Sequence, residues 1–112
     1  MKKLEIIIRP EKLEELKKTL NELNVKGMSV STIVGCGNQK GSKQFYRGAE
    51  MEITLLHKLK VEVVVSDGIV DDIVNKVSDS VRTGNVGDGK IFVYNVEEAV
   101  RIRTGEKGDT AI

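Results

Sequence analysis

Apolar residues recur along this chain with two different periods, and the switches between them mark out six elements. "KKLEIIIRP" reads as a strand stopped by Pro10, the only proline, which suits a first helical turn because its missing N–H is harmless there. Leu13, Leu16, Leu20 and Leu23 then return at helical spacing with Glu and Lys between them, and Gly27 follows as a turn. "MSVSTIVGCG" is a second strand, with Val30, Thr32 and Val34 on one face and Ser31 and Ile33 on the other. "KLKVEVVV", residues 58 to 65, is a third. Ser66 or Asp67 is placed to cap a second helix, whose positive N-terminal end Asp71 and Asp72 favour. Ile69, Ile73, Val77 and Val81 form its buried stripe, and Gly84 stands where a C-terminal glycine belongs. "KIFVYNV" is the fourth strand. The order β-α-β-β-α-β predicts an α+β, ferredoxin-like sandwich with a long loop between strands two and three.

Two helices cover only one face of a four-stranded sheet. Ile6-Ile7-Ile8 and Val63-Val64-Val65 are nevertheless apolar at consecutive positions, the pattern of strands buried on both sides. A bare apolar sheet face is abnormal on a monomer. The pattern therefore predicts a homo-oligomer in which copies cover one another.

Composition narrows the class without naming it. The 112 residues make one domain, residues 1–112, and the charged residues, 31% of the chain, balance to a net +1. No global field draws such a chain to nucleic acid or an anionic membrane. No apolar run approaches the ~18 residues of a membrane span, and "MKKLEIIIRPEK" lacks the cleavage site of a signal peptide. Cys36 is the single cysteine, so a disulfide within the chain is excluded; it reads as a small buried side chain. A cytoplasmic protein is expected.

The connection from about residue 38 to 56 is longer than a hairpin requires. Its tip, "QKGSKQFYRGAE", is polar and basic and offers Phe45, Tyr46 and Arg47, while Met51, Ile53 and Leu55 alternate with Glu52, Thr54 and Leu56 as an extended return arm would. The bland alternative is a hairpin tip without a role. Aromatic residues and Arg dominate interface hot spots, so a protruding probe is the stronger expectation.

"RTGNVGDGKIFV", residues 82 to 93, contains GxxxxGK, most of a P-loop. A P-loop needs Ser or Thr after the lysine and runs from a strand into a helix. Here Ile91 follows Lys90 and the order is helix first, strand after, so the P-loop is excluded. Gly35, Gly37, Gly41, Gly84, Gly87 and Gly89 cluster at element ends, where successive N–H groups can form an anion-binding concavity. Lys90 adds a cation. Arg101 and Arg103, two apart, would project to one side of an extended tail and suit a polyphosphate. Turn glycines and solvated arginines account for the same residues without a ligand. His57 has no partner at motif spacing and reads as a surface residue, and no Ser-His-Asp or Cys-His set is present.

"GNQKG" at 37 to 41, "YRGAE" at 46 to 50, "RTGNVGDGKIFV" and "VRIRTGEKGDTAI" together resemble PII signal-transduction proteins of the GlnB/GlnK type, nearly along the whole chain. That resemblance implies a homotrimer binding ATP or ADP in clefts between subunits. It implies phosphates cradled by Gly87, Asp88, Gly89 and Lys90, with Arg101 and Arg103 reaching from the adjacent chain. Gly35, Gly37, Asn38 and Gln39 would line the cleft from the loop base, and Glu62 and Val64 would lie by the adenine and ribose. With Mg²⁺-ATP, 2-oxoglutarate would be bound by Gln39, Lys40, Gly41, Lys58 and Gly87, Gln39 completing the metal shell and Lys58 pairing with the distal carboxylate. The long loop, with Phe45, Tyr46, Arg47 and Met51, would dock on targets such as an ammonium transporter or glutamine synthetase.

The chain departs from the family where relatives are covalently modified. Met51 stands at the modifiable tyrosine and Ala49 at the position phosphorylated in some photosynthetic relatives, so no modification is expected. Asn38 stands where many relatives carry Arg. Alternatives remain: a slow nucleotide hydrolase using the same cleft, a GlnB-like regulator of adenylylation or transcription, or an RNA-binding domain of the same topology. The last lacks the stacking aromatics it needs on the third strand.

Overall fold

Leu4, Ile6 and Ile8 alternate along β1 (Lys2–Ile8) and are all buried, so a period of two sets the inner face of the sheet. The computed structural model describes residues 1–36, 43–46, 49–52 and 55–112, with 36, 43–46 and 49–52 described by backbone alone. After a short turn over Pro10–Lys12 come α1 (Leu13–Glu22) and β2 (Ser29–Cys36). Two short strands, β3 (Lys43–Tyr46) and β4 (Ala49–Glu52), pair antiparallel within the long excursion. Then follow β5 (Leu55–Val65), α2 (Val70–Val81) and β6 (Gly89–Asn95).

The main sheet has the order β2-β5-β1-β6, antiparallel throughout, which is the expected ferredoxin-like arrangement. Both helices lie on one face. Leu16 and Leu20 of α1 and Ile73, Val77 and Val81 of α2 pack with Leu4, Ile6, Ile8, Val61, Val63 and Val65 in one core. Leu13, Leu23 and Ile69 border it, as the helical spacing predicts.

The structure changes several boundaries. β5 begins at Leu55, three residues before the expected Lys58, because Leu55 and Leu56 continue the ladder against Cys36 and Gly35. Asn24, not Gly27, turns the chain after α1: its φ is 61°. Val25 N–H bonds the Leu20 carbonyl at 2.9 Å and Asn24 N–H that of Asn21 at 3.0 Å, the reciprocal pair of a Schellman end. Neither Ser66 nor Asp67 caps α2 with its side chain. Ser66 donates to Asp109 at 3.2 Å, and Asp67 pairs with the Met1 ammonium at 2.9 Å. Both side chains serve tertiary contacts instead. Gly84 lies beyond the end of α2, which Arg82 closes by turning extended, with φ −69° and ψ 132°.

The open face of the sheet is charged, contrary to the expected apolar one. The register places Lys3 and Glu5, Lys60 and Glu62, and Lys90 on the same side as Ile7, Val64 and Phe92. Lys3 pairs with Glu62 at 3.2 Å and Lys60 with Glu5 at 3.3 Å; Tyr94 donates to Glu5 at 2.7 Å, and the Lys3 ammonium lies 5.0 Å from the Tyr94 ring centre. Consecutive isoleucines and valines gave the impression of two apolar faces, but the flanking charges fall on the outer one. That face therefore does not by itself demand a covering copy.

One backbone approach constrains this fold strongly. A Cβ at Gly89, whose φ is 110°, would lie 1.7 Å from the Ile7 carbonyl oxygen. At Gly27 a Cβ meets nothing within 4 Å. Gly89→Ala should therefore cost more than about 2 kcal/mol in chemical denaturation, whereas Gly27→Ala should stay within about 1 kcal/mol of the parent. Equal midpoints for the two would contradict the β1–β6 contact.

Candidate functional site

The turn between α2 and β6 is built around Asp88. Its carboxylate accepts from the backbone N–H of Thr83 at 2.8 Å and of Gly84 at 2.9 Å, and from the Thr83 hydroxyl. Arg9, the residue after β1, adds a fourth donor: Nε lies 3.1 Å from Asp88 Oδ1, and Nη2 lies 2.9 Å from the Val86 carbonyl. These donors, with the Thr83 hydroxyl foremost, hold the Asp88 carboxyl far below the ordinary aspartate range. Lys58 reaches the same turn and donates to the Gly87 carbonyl. Burial first, and the Arg9 charge second, push the Lys58 ammonium below its usual value.

Gly87, at φ 101°, and Gly89 give this turn a path that other residues rarely take. Lys90 projects from the open face, one position inside β6 and opposite Ile7. Gly35, next to last in β2, lies opposite Leu56, two positions outward from the Ile33–Lys58 pair. One end of the sheet thus gathers Gly35, Lys58, Gly87, Asp88, Gly89 and Lys90, part of the expected nucleotide and acid ligands, and adds Arg9. The donor set suits an anion: turned glycines, two lysines and a guanidinium beside a carboxylate already satisfied from within.

Glu62 and Val64 lie elsewhere. They line a cleft of about 790 Å³ with Lys3, Met28, Ser29, Asp109 and the C-terminal Ile112. Lys58 precedes them by four and six residues on β5, which the strand rise converts to roughly 13–20 Å. The tail carrying Arg101 and Arg103 leaves β6 at this far end, since Asn95 pairs with Lys2. Arg101 and Arg103 are not in an extended run. A bridge between Val100 and Lys107 and the Gly105 N–H bonded to the Arg101 carbonyl at 2.7 Å fold the tail into a closed turn. Arg101 is held by Glu106 at 3.0 Å, while Ile102 between the two arginines is almost wholly exposed.

Gly37, Asn38, Gln39, Lys40, Gly41 and Arg47 lie outside the described residues, as do the side chains of Cys36, Phe45, Tyr46, Ala49 and Met51. His57 is exposed, as expected. Arg9 is the site residue that sequence reasoning missed. Its only local signal is its place before Pro10, and its partners stand 77 and 79 residues away.

The profile of the nitrogen regulatory protein P-II family matches residues 1–106. Nitrogen regulatory proteins P-II from Rhodospirillum rubrum and Azospirillum brasilense are 48% and 51% identical over 112 residues, covering the whole of each chain. That of Microchaete diplosiphon is 53% identical with the same coverage. The chain belongs to the nitrogen regulatory protein P-II family. It is a regulator in nitrogen signalling.

The Asp88 contacts imply a definite acid behaviour. Because its folded value lies below the unfolded one, its stabilising contribution is complete above the unfolded aspartate value of about 3.9 and disappears as pH falls through the depressed folded value. Side-chain NMR of Asp88 should therefore show a midpoint well under about 3.9. An ordinary midpoint would mean that the Thr83, Gly84 and Arg9 bonds do not form in solution.

Proposed function

We propose that this P-II chain works as a homotrimer that binds ATP or ADP competitively in the clefts between subunits, and 2-oxoglutarate together with Mg²⁺-ATP. The observation carrying this reading is the division of its ligand residues between the two ends of one sheet. Gly35, Lys58 and Gly87 to Lys90 lie at one end, and Glu62, Val64 and the tail with Arg101 and Arg103 at the other. One chain cannot close both sets on one nucleotide. A neighbouring copy that brings its far end against this near end completes the site, with the phosphates at the glycine turn and the base in the 790 Å³ cleft of the other subunit.

The glycine turn fits a phosphate. Lys90 supplies charge, and a Cβ at Gly89 would collide with the Ile7 carbonyl, so glycine keeps the exit of the turn close against β1. Among the described residues no group of three or more His, Cys, Asp or Glu could hold a metal ion. In this reading Gln39 would offer its side-chain oxygen to Mg²⁺, a hard cation that takes oxygen ligands and would neutralise phosphate charge. Lys58 then exchanges the Gly87 carbonyl for the distal carboxylate of 2-oxoglutarate.

The protein acts as a sensor without catalysis. Asp88, the carboxylate of the turn, is already an acceptor for Thr83, Gly84 and Arg9, which disfavours it as a base. ATP and ADP shift the 38–56 segment between populations by their difference in affinity for each. That segment, through Arg47 and its neighbours, docks on a cytoplasmic target such as an ammonium transporter or glutamine synthetase. No described helix is long and apolar enough to cross a membrane; in this reading the chain meets a membrane only through such a partner.

Light scattering should give the mass of three chains, and calorimetry should show ATP and ADP binding. Lys90→Ala should weaken ATP about ten- to a hundredfold, the size of one charge-assisted hydrogen bond. Unchanged affinity would refute the cradle. Gln39→Ala should abolish 2-oxoglutarate binding while leaving ADP nearly intact, and equal losses for both would rule out its metal role.

A further inference from the structure

We infer that Arg9 is a positioning residue for the phosphate turn, clamping residues 86 to 88 to the end of β1 so that the turn's amides are oriented before a nucleotide arrives. This rests on the nucleotide-binding reading above. Arg9 precedes a proline, and the proline ring confines the preceding residue to extended backbone; Arg9 has φ −63° and ψ 140°. Pro10 thus fixes the direction in which the Arg9 side chain leaves β1. The Arg9 side chain is 16% exposed, against an Asp88 side chain 22% exposed.

Its fork serves two acceptors from separate nitrogens. Nε donates to Asp88 Oδ1 at 3.1 Å and Nη2 to the Val86 carbonyl at 2.9 Å. A lysine ammonium concentrates its donors on one nitrogen and does not reproduce that fork. Asp88 relays the restraint, because its second oxygen holds the Thr83 and Gly84 amides. Lys58 holds the next carbonyl, that of Gly87.

Turning these two carbonyls inward orients the amides. In a trans peptide the C=O and the following N–H point in opposite directions, and no cis bond occurs among the described residues. With the Val86 and Gly87 carbonyls drawn to Arg9 and Lys58, the Gly87 and Asp88 N–H groups face the other way. The turn therefore presents donors without waiting for a ligand to order it, and preorganised donors bind more tightly than ones that must be ordered on binding. Arg9 acts through this turn and is not required to touch the nucleotide.

The test compares the intact protein with Arg9→Met and Arg9→Lys in two measurements. Calorimetry reads ATP, ADP and adenosine affinity, and amide hydrogen exchange reads residues 83 to 88 without ligand. Arg9→Met should lose about tenfold or more for ATP and ADP while adenosine changes by less than about twofold, and exchange across the turn should accelerate. Arg9→Lys, which keeps the charge, should recover only part of both. Full recovery by Arg9→Lys, or lost affinity without faster exchange, would show that charge alone acts and would overturn the clamp. So would ATP affinity in Arg9→Met equal to that of a parent that binds. A parent that binds no adenylate instead removes the nucleotide reading itself, a distinguishable failure that removes the clamp's role with it. If Arg9→Met does not fold, Asp88→Asn reports on the same bond from the loop side and should show the same pattern of selective phosphate loss and faster exchange.

Discussion

Between the last turn of α2 and the first residue of β6 the backbone leaves regular structure, and its amides need acceptors from elsewhere. Asp88 provides them at Thr83 and Gly84, and a carboxylate that accepts several donors stays ionised and fixed in place. Arg9 ties that carboxylate to the end of β1, so the turn inherits its position from a central strand of the sheet. The path of the turn, the height of Lys90 and the contact with Lys58 all follow from this anchoring. The close approach of Gly89 to Ile7 belongs to the same constraint, because it brings the turn's exit against the same end of β1.

The remainder of the sheet divides the labour between its faces. The inner face carries the alternating aliphatic residues and holds both helices, the main source of folding free energy. The outer face carries Lys3, Glu5, Lys60, Glu62 and Tyr94 in mutual contact, which keeps partly exposed charges compensated. Glu5 is held below its usual value chiefly by the Tyr94 hydroxyl, and the same bond raises Tyr94. Exposed pairs of this kind add little stability alone. Two of these residues, Lys3 and Glu62, also line the cleft at the far end of the sheet.

Side chains at the ends of the helices also serve the tertiary structure. Ser66 and Asp67 have the residue types of good caps, yet each finds a partner distant in sequence, at Asp109 and Met1. Asn24 takes the left-handed position after α1, where its short polar side chain tolerates a positive φ, and frees Gly27 from that task. The tail folds back through Glu98, which accepts from the Gly108 N–H at 3.1 Å, and through the Arg101–Glu106 pair. The tail arginines are therefore displayed from a closed turn rather than along a strand.

The element order, both helix stripes and the inner sheet face were legible in the sequence, because periods of two and 3.6 are written locally in Leu4, Ile6 and Ile8 and in Ile73, Val77 and Val81. The glycine turn was legible as well, since its residues are contiguous. What escaped the sequence depends on contacts between distant residues. The two faces of β1 and β5 could be told apart only once register placed Lys60 beside Glu5 and Glu62 beside Lys3. Arg9 acquired its role only when β1 and the α2–β6 turn met in space. The separation of Glu62 and Val64 from the glycine turn likewise followed from strand direction, because β5 carries Lys58 and Val64 to opposite ends of the sheet at a fixed rise per residue. Local periodicity determines which elements form and which face each buries; which distant side chains share a site is decided by how those elements pair.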